Sequence, residues 1–537
     1  MSDATTCEYE FDPGKHNHTS SPHVLRDILN DREVWSCPHP TYKNEDKCIF
    51  HTPEIHDSDA ARELLLHQLD KNDSDREVHR FIGAKVDELS LDRTVIDAKR
   101  VYALDLRFAD IGTLDLEHAQ ISIPIDLTGS NIGKLNCHNA DIRSRLECKD
   151  AVISHCRGES ATFHDRTLFE GTQFKRANFF NVTFEERALF SKSKFGGYTI
   201  FRNSDFHHMA DFSETTWENQ SSFASTKFHE QTDFTDITIH GELSITESMF
   251  ESKCRLKPQL PQDNSTVLID LTGTTITTGE LANPGTNRLQ YDLTEATLGD
   301  VELAGENPIN FADYQIINTS FDGFEFARYT DSLLAVNWYI HTSKTPPTID
   351  SGSRSPSTIR QRVHQFYLRL KWIANMARRD EYSPGILRST YLRAKNGAAI
   401  VGDDTAMAEF FLREMKYKRK SHFQKFLDSS SLIGLKDWAL NWFYNLTAGY
   451  GERPWRTLFW SIFIVVLFAN MYAFLSSRPY SLSVVHNYLG FSFQAFVALV
   501  LGQPQGGQFP GIAAFEAFIG AFMIALFVFT LTRSMHR

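Results

Sequence analysis

Residues Thr183–Trp217, "TFEERALFSKSKFGGYTIFRNSDFHHMADFSETTW", carry a large apolar residue at every fifth or sixth position. From Phe184 onward the steps alternate between six and five, which gives a period of 11 residues. An α-helix repeats every ~3.6 residues and a strand every second residue, so neither produces this spacing. The spacing therefore predicts a repeat architecture in which each five or six residues form one side of a coil.

The same pattern extends beyond this stretch in both directions. The bulky residues fall at Phe174, Phe179, Phe184, Phe190, Phe195, Phe201, Phe206, Phe212, Trp217, Phe223, Phe228, Phe234, Ile239, Ile245 and Phe250, and upstream at Ile111, Leu116, Ile121, Leu127, Ile132 and Ile142. A small residue often lies two positions earlier, at Ala109, Ala119, Ala140, Ala151, Ala161, Ala177, Ala188 and Ala210. Four sides make one coil of 22 residues with the bulky side chains inside. A Phe-rich globular core, the alternative, has no reason to keep the period.

The triplets "ANF", "ADF" and "ADI" recur at this spacing, and the chain resembles pentapeptide-repeat proteins. The resemblance implies a right-handed quadrilateral β-helix over residues 100–330, interrupted near 254–264. Such a fold is a rigid scaffold whose outer face binds a partner, in this case an unknown protein.

The net charge and the motifs disfavour several classes of function. The formal net charge of −12 argues against nucleic acid as a partner. Some soluble pentapeptide-repeat proteins mimic DNA and bind topoisomerases, but mixed charges and a membrane anchor disfavour that function here. The sequence contains no P-loop, nucleophile elbow or conspicuous pair of carboxylates, so we expect no enzyme. The polar, acidic start lacks a signal segment, and seven scattered cysteines do not suggest a disulfide framework, so we expect most of the chain in the cytoplasm.

Residues 1–56 are rich in Cys, His and Pro. The candidate metal ligands are Cys7, Cys37, Cys48 and His51. Three thiolates and one imidazole suit a structural, tetrahedral zinc ion, and so small a unit needs such a cofactor to fold. Unrelated thiols on a disordered arm are the alternative, and His39 is a possible replacement ligand.

A Pro/Ser/Thr-rich linker, residues 341–357, precedes a helical connector at 358–428. The apolar spacing predicts that the connector is an amphipathic helix followed by a helix pair. Asp403 or Asp404 is the predicted N-cap of the last helix. That helix ends in a basic stretch. The stretch either binds anionic lipid or is an ordinary solvated face.

Two apolar runs follow, at Leu458–Leu475 and Ile512–Leu531. Each approaches the ~20 residues that span a bilayer as a helix, although a buried core helix is the alternative. Arginines precede the first run and follow the second, so two crossings put both termini in the cytoplasm. The segment Val484–Leu501 between them is apolar enough to be a third span, but an even number of crossings makes Val484 to about Val500 a re-entrant helix followed by an extended return. We expect a multi-pass protein of the cell membrane within residues 458–537.

This layout resembles the two-span, potassium-channel-like pore domain, in which four copies surround one pore. The resemblance implies that the filter follows the re-entrant helix, at Ala498, Leu499, Val500, Leu501, Gly502 and Gln503. Only Gly502 matches the filter pattern, which puts potassium selectivity and conduction in doubt. Gly520 lies where such channels carry a hinge glycine. Glu516, the only acid in the two runs, either supports the filter backbone or is a protonated acid near the headgroups.

The hexapeptide "TAGYGE", Thr447–Glu452, looks like a potassium filter but lies before the first apolar run. Residues 432–457 therefore read as an interfacial helix and a glycine-containing bend. The leading prediction is an ion-channel-like membrane protein, tetrameric if it forms a pore and contacting membrane lipid, with a cytoplasmic scaffold or sensor. The alternative is a non-conducting, membrane-anchored interaction scaffold.

Overall fold

The chain forms two compact units, Met1–Arg354 and Ser355–Arg537. The computed structural model describes residues 6–13, 27–29, 33–52, 57–70, 76–97, 102–263, 265–285, 288–305, 309–341, 382–429, 432–476, 482–501 and 509–535. The linker and the first connector helix expected at 358–379 lie outside the described residues.

The first unit begins with an antiparallel pair, β1 (Glu10–Phe11) and β2 (Trp35–Ser36), and helix α1 (Ser58–Asp70). Parallel strands follow at β3 (Lys85–Ser90), β4 (Val95–Ile96), β5 (Leu104–Asp105), β6 (Asp110–Asp115), β7 (Gln120–Ile121), β8 (Ile125–Asp126), β9 (Asn131–Asn136), β10 (Asp141–Ile142), β11 (Leu146–Glu147), β12 (Val152–Arg157), β13 (Thr162–Phe163), β14 (Thr167–Leu168) and β15 (Gln173–Asn178). The middle strands are β16 (Thr183–Phe184), β17 (Ala188–Leu189), β18 (Lys194–Phe195), β19 (Thr199–Ile200), β20 (Asp205–Phe206), β21 (Ala210–Asp211), β22 (Thr216–Trp217), β23 (Ser221–Ser222) and β24 (Lys227–Phe228). The last are β25 (Thr232–Ile239), β26 (Glu242–Ser244), β27 (Met249–Gln259), β28 (Val267–Asp270), β29 (Thr275–Asn283), β30 (Leu289–Asp292), β31 (Thr297–Gly305), β32 (Tyr314–Gln315) and β33 (Ser320–Phe321), before helix α2 (Thr330–Ala335).

These strands form a β-solenoid. In the middle of it each strand pairs with the fourth one after it, as β16 does with β20, so four strands make one turn. Phe184 is in register with Phe206, and Phe206 with Phe228, which confirms the 22-residue coil. One such column passes through about ten turns, from Ile96 to Phe321.

The bulky residues fill the interior. Phe184, Phe206 and Phe228 stack as parallel rings, with centroids 4.8 and 4.9 Å apart along the column. All the predicted bulky residues are buried, and so are the alanines two positions before them. Stacked rings at nearly the strand spacing explain why the sequence keeps Phe at one position in turn after turn.

In several coils the position two before a bulky residue is Ser or Thr instead of Ala, and the structure shows that the hydroxyl forms a hydrogen bond there. The buried hydroxyls of Ser204, Thr226 and Ser248 each donate to the carbonyl of a bulky residue in the preceding coil, at 2.6 Å. Left-handed residues turn alternate corners, with φ 57° at Asn181 and 58° at Asn203. The hydrogen bonds from the hydroxyls satisfy backbone carbonyl groups that the short strands leave unpaired.

The strand ladder begins at Lys85, before the residue 100 at which the repeat pattern starts. The segment in which we expected an interruption, 254–264, begins inside strand β27 and continues into a loop. Within this segment the pairing of β25 with β27 shifts register between Lys257 and Pro258.

The second unit is helical. Its helices are α3 (Pro384–Ile400), α4 (Asp404–Ser429), α5 (Leu432–Ala448), α6 (Pro454–Leu475), α7 (Leu482–Phe496), α8 (Ala498–Leu501) and α9 (Pro510–Met535). The predicted helix pair is confirmed as α3 and α4, and the Asp403 carboxylate caps α4 by accepting from the Ala406 amide at 2.9 Å. The break between them is shorter than predicted, because α3 continues to Ile400.

Helices α6 and α9 are long and apolar enough to cross a membrane, with mean hydropathies of 2.2 and 2.4. Large apolar side chains cover their outer surfaces: Trp455 is 78 % exposed, Phe474 77 % and Phe518 69 %. A core helix of a soluble protein would bury such side chains. Helix α7 contacts both α6 and α9.

Candidate functional site

The first candidate site is the Cys3His cluster of Cys7, Cys37, Cys48 and His51. The structure brings all four together, fully buried, with their ligand atoms within 4.8 Å of one another. The Sγ atoms of Cys37 and Cys48 lie 3.8 Å apart, and Cys7 Sγ lies 3.7 Å from His51 Nδ1. Tetrahedral zinc with Zn–S bonds of about 2.3 Å places two sulfurs about 3.8 Å apart. The donor set and its spacing therefore fit a tetrahedral metal ion.

The surroundings of the cluster orient its ligands. His51 Nε2 lies 3.0 Å from the Ile82 carbonyl, which fixes the ring hydrogen there and leaves the Nδ1 lone pair facing the sulfurs. The ring of Tyr9 stacks on His51 at 3.8 Å. Hydrogen bonds from the Cys37 and Cys48 thiols lower the pKa of Cys7, so its thiolate, the metal-binding form, is favoured.

His39 is not a member of the cluster. Its Nε2 lies 2.9 Å from the Arg80 carbonyl, and its ring stacks on Phe81 at 4.3 Å. Instead of forming an independent unit, the N-terminal segment packs on the start of the solenoid, where Phe11 stacks on Phe108. No sequence pattern indicates these contacts, because they join residues of the first segment to the first coil.

The second candidate site is Glu516, which joins three helices of the apolar region. Its carboxylate is fully buried and accepts from the Tyr472 hydroxyl of α6 at 2.8 Å and from the Ser492 hydroxyl of α7 at 2.5 Å. Ser492 also lies 2.8 Å from the Val465 carbonyl. Glu516 is thus bound by side chains of neighbouring helices, and the return loop whose backbone we expected it to support lies outside the described residues from 502 to 508. The sequence did not identify Tyr472 or Ser492.

Gly520 lies where α9 meets the end of α7. A Cβ atom at this position would be 1.9 Å from the Phe496 carbonyl oxygen, so no other residue fits. The glycine therefore permits the backbone of α9 to contact the backbone of α7 at Phe496, which lies two residues before Ala498. The hinge role that we predicted for it stays a prediction.

The filter position is described in part. Ala498, Leu499, Val500 and Leu501 form the short helix α8, at the end of the segment that we expected to be helical to about Val500. Gly502 and Gln503 lie outside the described residues. A helical turn directs its carbonyls along its own axis, so these four residues do not present the carbonyl rings of a potassium filter in this structure.

The filter look-alike forms a bend between α5 and α6. Gly449–Gly451 make a single 3-10 turn in which Tyr450 is left-handed, with φ 60°. The Tyr450 hydroxyl donates to Asn441 Oδ1 at 2.7 Å and accepts from Arg419 at 3.1 Å. Glu452 pairs with Arg533 of α9 at 2.8 Å. The hexapeptide thus connects α4, α5 and α9.

In comparisons with known proteins, no family model, no curated protein and no solved structure matches this chain. Its class is consequently defined by the structure alone, as a β-solenoid protein with helices apolar enough to cross a membrane and a buried Cys3His cluster.

Proposed function

We propose that this chain is a cell-membrane protein with an ion-channel-like, two-span pore domain, regulated by a cytoplasmic pentapeptide-repeat scaffold. The observation that carries the proposal is the arrangement of α7 between the two apolar helices. It is held there by Ser492 against Glu516 and by the Gly520 contact. A buried acid in an apolar region is costly and is usually retained for function.

In this proposal α6 and α9 cross the membrane, both termini are cytoplasmic, and α7 dips into the membrane and returns. Four copies surround the pore, and lipid or neighbouring subunits cover the outward-facing side chains of α6 and α9. The pairing of Glu452 with Arg533 supports a regulatory connection, because it links the bend before α6 to the end of α9. The proposal assigns no enzymatic reaction.

Planar-bilayer recording of the purified full-length protein tests conduction, alongside its oligomeric mass in detergent. We expect ion currents from a tetramer, and their loss in Gly520→Ala, whose added methyl group would displace α7. Gly490→Ala is the matched control, since a Cβ atom there meets nothing within 4 Å. A folded tetramer that stays silent in potassium, sodium and chloride at all potentials would overturn the pore.

The second candidate is a non-conducting, membrane-anchored interaction scaffold. The helical backbone of Ala498–Leu501 and the missing filter glycines favour it. It differs in one measurable respect: the wild type would carry no current and would bind its partner through the solenoid, and Gly520→Ala would change neither property.

We further propose that the solenoid is a right-handed, quadrilateral pentapeptide-repeat β-helix and that its N-terminal segment is closed by structural zinc. The Cys3His spacing supports zinc, and a metal-fixed segment on the first coil would protect the open end of the repeat. Metal analysis after extensive dialysis tests this. We expect one retained zinc ion per chain, lost in Cys48→Ser. The control Cys254→Ser, at a buried thiol of the solenoid, keeps it.

A further inference from the structure

Two histidines and an aspartate meet on the outer surface of the solenoid. His207 follows Phe206 at the end of β20, and His229 follows Phe228 at the end of β24. Because Phe206 and Phe228 are in register, the two histidines lie one above the other on adjacent coils. Their rings are parallel within 16° and have centroids 5.0 Å apart.

Asp205 brings an oxygen ligand to this pair. One carboxylate oxygen lies 2.8 Å from His229 Nε2, and the other lies 3.8 Å from His207 Nε2. The ligand atoms of all three residues lie within 4.8 Å of one another. Two nitrogens that share one zinc ion at about 2.1 Å must approach to about 4.2 Å or less. These half-exposed side chains can make this small adjustment by rotation about χ1 and χ2.

Glu251, one coil further, supplies a second observation that points to a metal. Its carboxylate lies 2.9 Å from His229 Nδ1. Glu251 holds the ring hydrogen at Nδ1, and a metal ion at Nε2 would take the place of the proton that Nε2 shares with Asp205. A metal-binding histidine nearly always has such a carboxylate or carbonyl partner on its other nitrogen.

We propose that Asp205, His207 and His229 form an exchangeable binding site for a divalent transition metal, with zinc as the physiological class of ion. Two imidazoles and one carboxylate suit zinc, and water completes the coordination of an open three-residue site. Lys227 is in register with Asp205 on the next coil and contributes a positive charge that weakens binding. The site therefore binds metal reversibly, unlike the buried, sulfur-rich Cys3His cluster.

His164 provides a matched control on the same face. Its two ring nitrogens lie 2.6 Å from Asp141 and 2.6 Å from Glu185, so it has two carboxylate partners as His229 does. It differs in that no second histidine joins its group among the described residues. Substitution of His164 tests whether binding requires the histidine pair or only a histidine that lies between two carboxylates.

Zinc titration of the full-length protein in detergent, in competition with a chromophoric chelator, tests the site. We expect one rapidly exchanging zinc ion per chain in addition to any ion that dialysis retains. His207→Ala and His229→Ala should weaken that exchange site by about tenfold or more, and His164→Ala should leave it unchanged. His207→Gln serves as a second variant, since it keeps the size and polarity of the side chain, and far-UV circular dichroism verifies that each variant is folded.

Two results would overturn the site. One is the absence of an exchanging ion in the wild type. The other is equal weakening by His164→Ala and His229→Ala, which would mean that zinc binds diffusely to the acidic face. Neither result depends on whether the membrane helices conduct ions or on whether the Cys3His cluster holds zinc.

Discussion

The solenoid and the helical second unit are stabilised in opposite ways. In the solenoid each coil repeats the contacts of the previous one, so that Phe184, Phe206 and Phe228 have nearly the same environment. In the helical unit the contacts of α7 are individual: one acid, one hydroxyl and one glycine hold it between α6 and α9. The first arrangement distributes stability over many equivalent residues, whereas the second concentrates it in a few.

This difference predicts different responses to mutation. A change in one coil of the solenoid should resemble the same change in another coil, since the stability of a repeat protein is roughly a sum over neighbouring repeats. The effect of a change in the helical unit should depend strongly on the exact position. Four substitutions test this contrast.

The largest effect is expected from Phe206→Ala. It removes a buried ring between two stacked neighbours and should cost about 3–5 kcal/mol of the free energy of unfolding. Phe228→Ala, one coil later, should cost a similar amount. Phe180→Ala, at a side chain that is 39 % exposed, is the control and should cost much less. Denaturant unfolding followed by circular dichroism measures all three, and a large difference between Phe206→Ala and Phe228→Ala would contradict distributed stability.

Gly520→Ala should have the next largest effect, because the new methyl group would overlap the Phe496 carbonyl. Overpacking of this kind costs about 1–3 kcal/mol. Gly511→Ala on the same helix meets nothing within 4 Å and should be neutral or slightly stabilising, since Ala favours a helix over Gly. Thermal unfolding in detergent compares the pair. Equal midpoints for both variants would show that α7 is not packed against α9 at this glycine.

The contrast between the two units also explains what could be predicted from sequence. The 22-residue coil and its inward-facing residues were predictable because Phe recurs at Phe184, Phe206 and Phe228 at a fixed spacing. The two apolar helices were predictable from length and hydropathy. The four metal-binding candidates were predictable from residue chemistry, since residues 1–56 are rich in Cys and His, although their partners Tyr9 and Ile82 were not.

The contacts of Glu516 could not be predicted in the same way. Tyr472, Ser492 and Glu516 belong to three helices and share no spacing, so no pattern relates them before the chain folds. The histidine pair on the solenoid was missed for another reason. His207 and His229 do keep the 22-residue spacing, but we followed that spacing only for apolar residues.

Tyr472→Phe should have a smaller effect than Gly520→Ala. It keeps the ring and removes the hydroxyl that donates to Glu516, and loss of one partner of a buried acid costs about 1–2 kcal/mol. Tyr488→Phe, at a tyrosine whose ring centroid lies 6.2 Å from that of Tyr472, is the comparison for loss of a neighbouring hydroxyl. Thermal unfolding in detergent measures both. If Tyr472→Phe matches the wild type, Glu516 does not depend on this contact and its role in holding the helices together is smaller than we infer.

The smallest effect concerns Asp126, which lies in register between Asp105 and Glu147 on adjacent coils. Burial, together with the charge of Asp105, raises the pKa of Asp126 from 3.8 to about 6. Because the folded state then holds a proton that the unfolded state releases, its contribution to stability is present below about pH 4 and is lost as the pH rises towards 6. Asp126→Asn should remove this part of the pH dependence and stabilise the solenoid at pH 7 by about 1 kcal/mol, since the loss of the Arg107 contact at 3.5 Å offsets part of the gain. Denaturant unfolding at pH 4, 6 and 7 measures the difference. A variant that is less stable than the wild type at pH 7 would show that the attraction of Arg107 outweighs the repulsion within the acidic column.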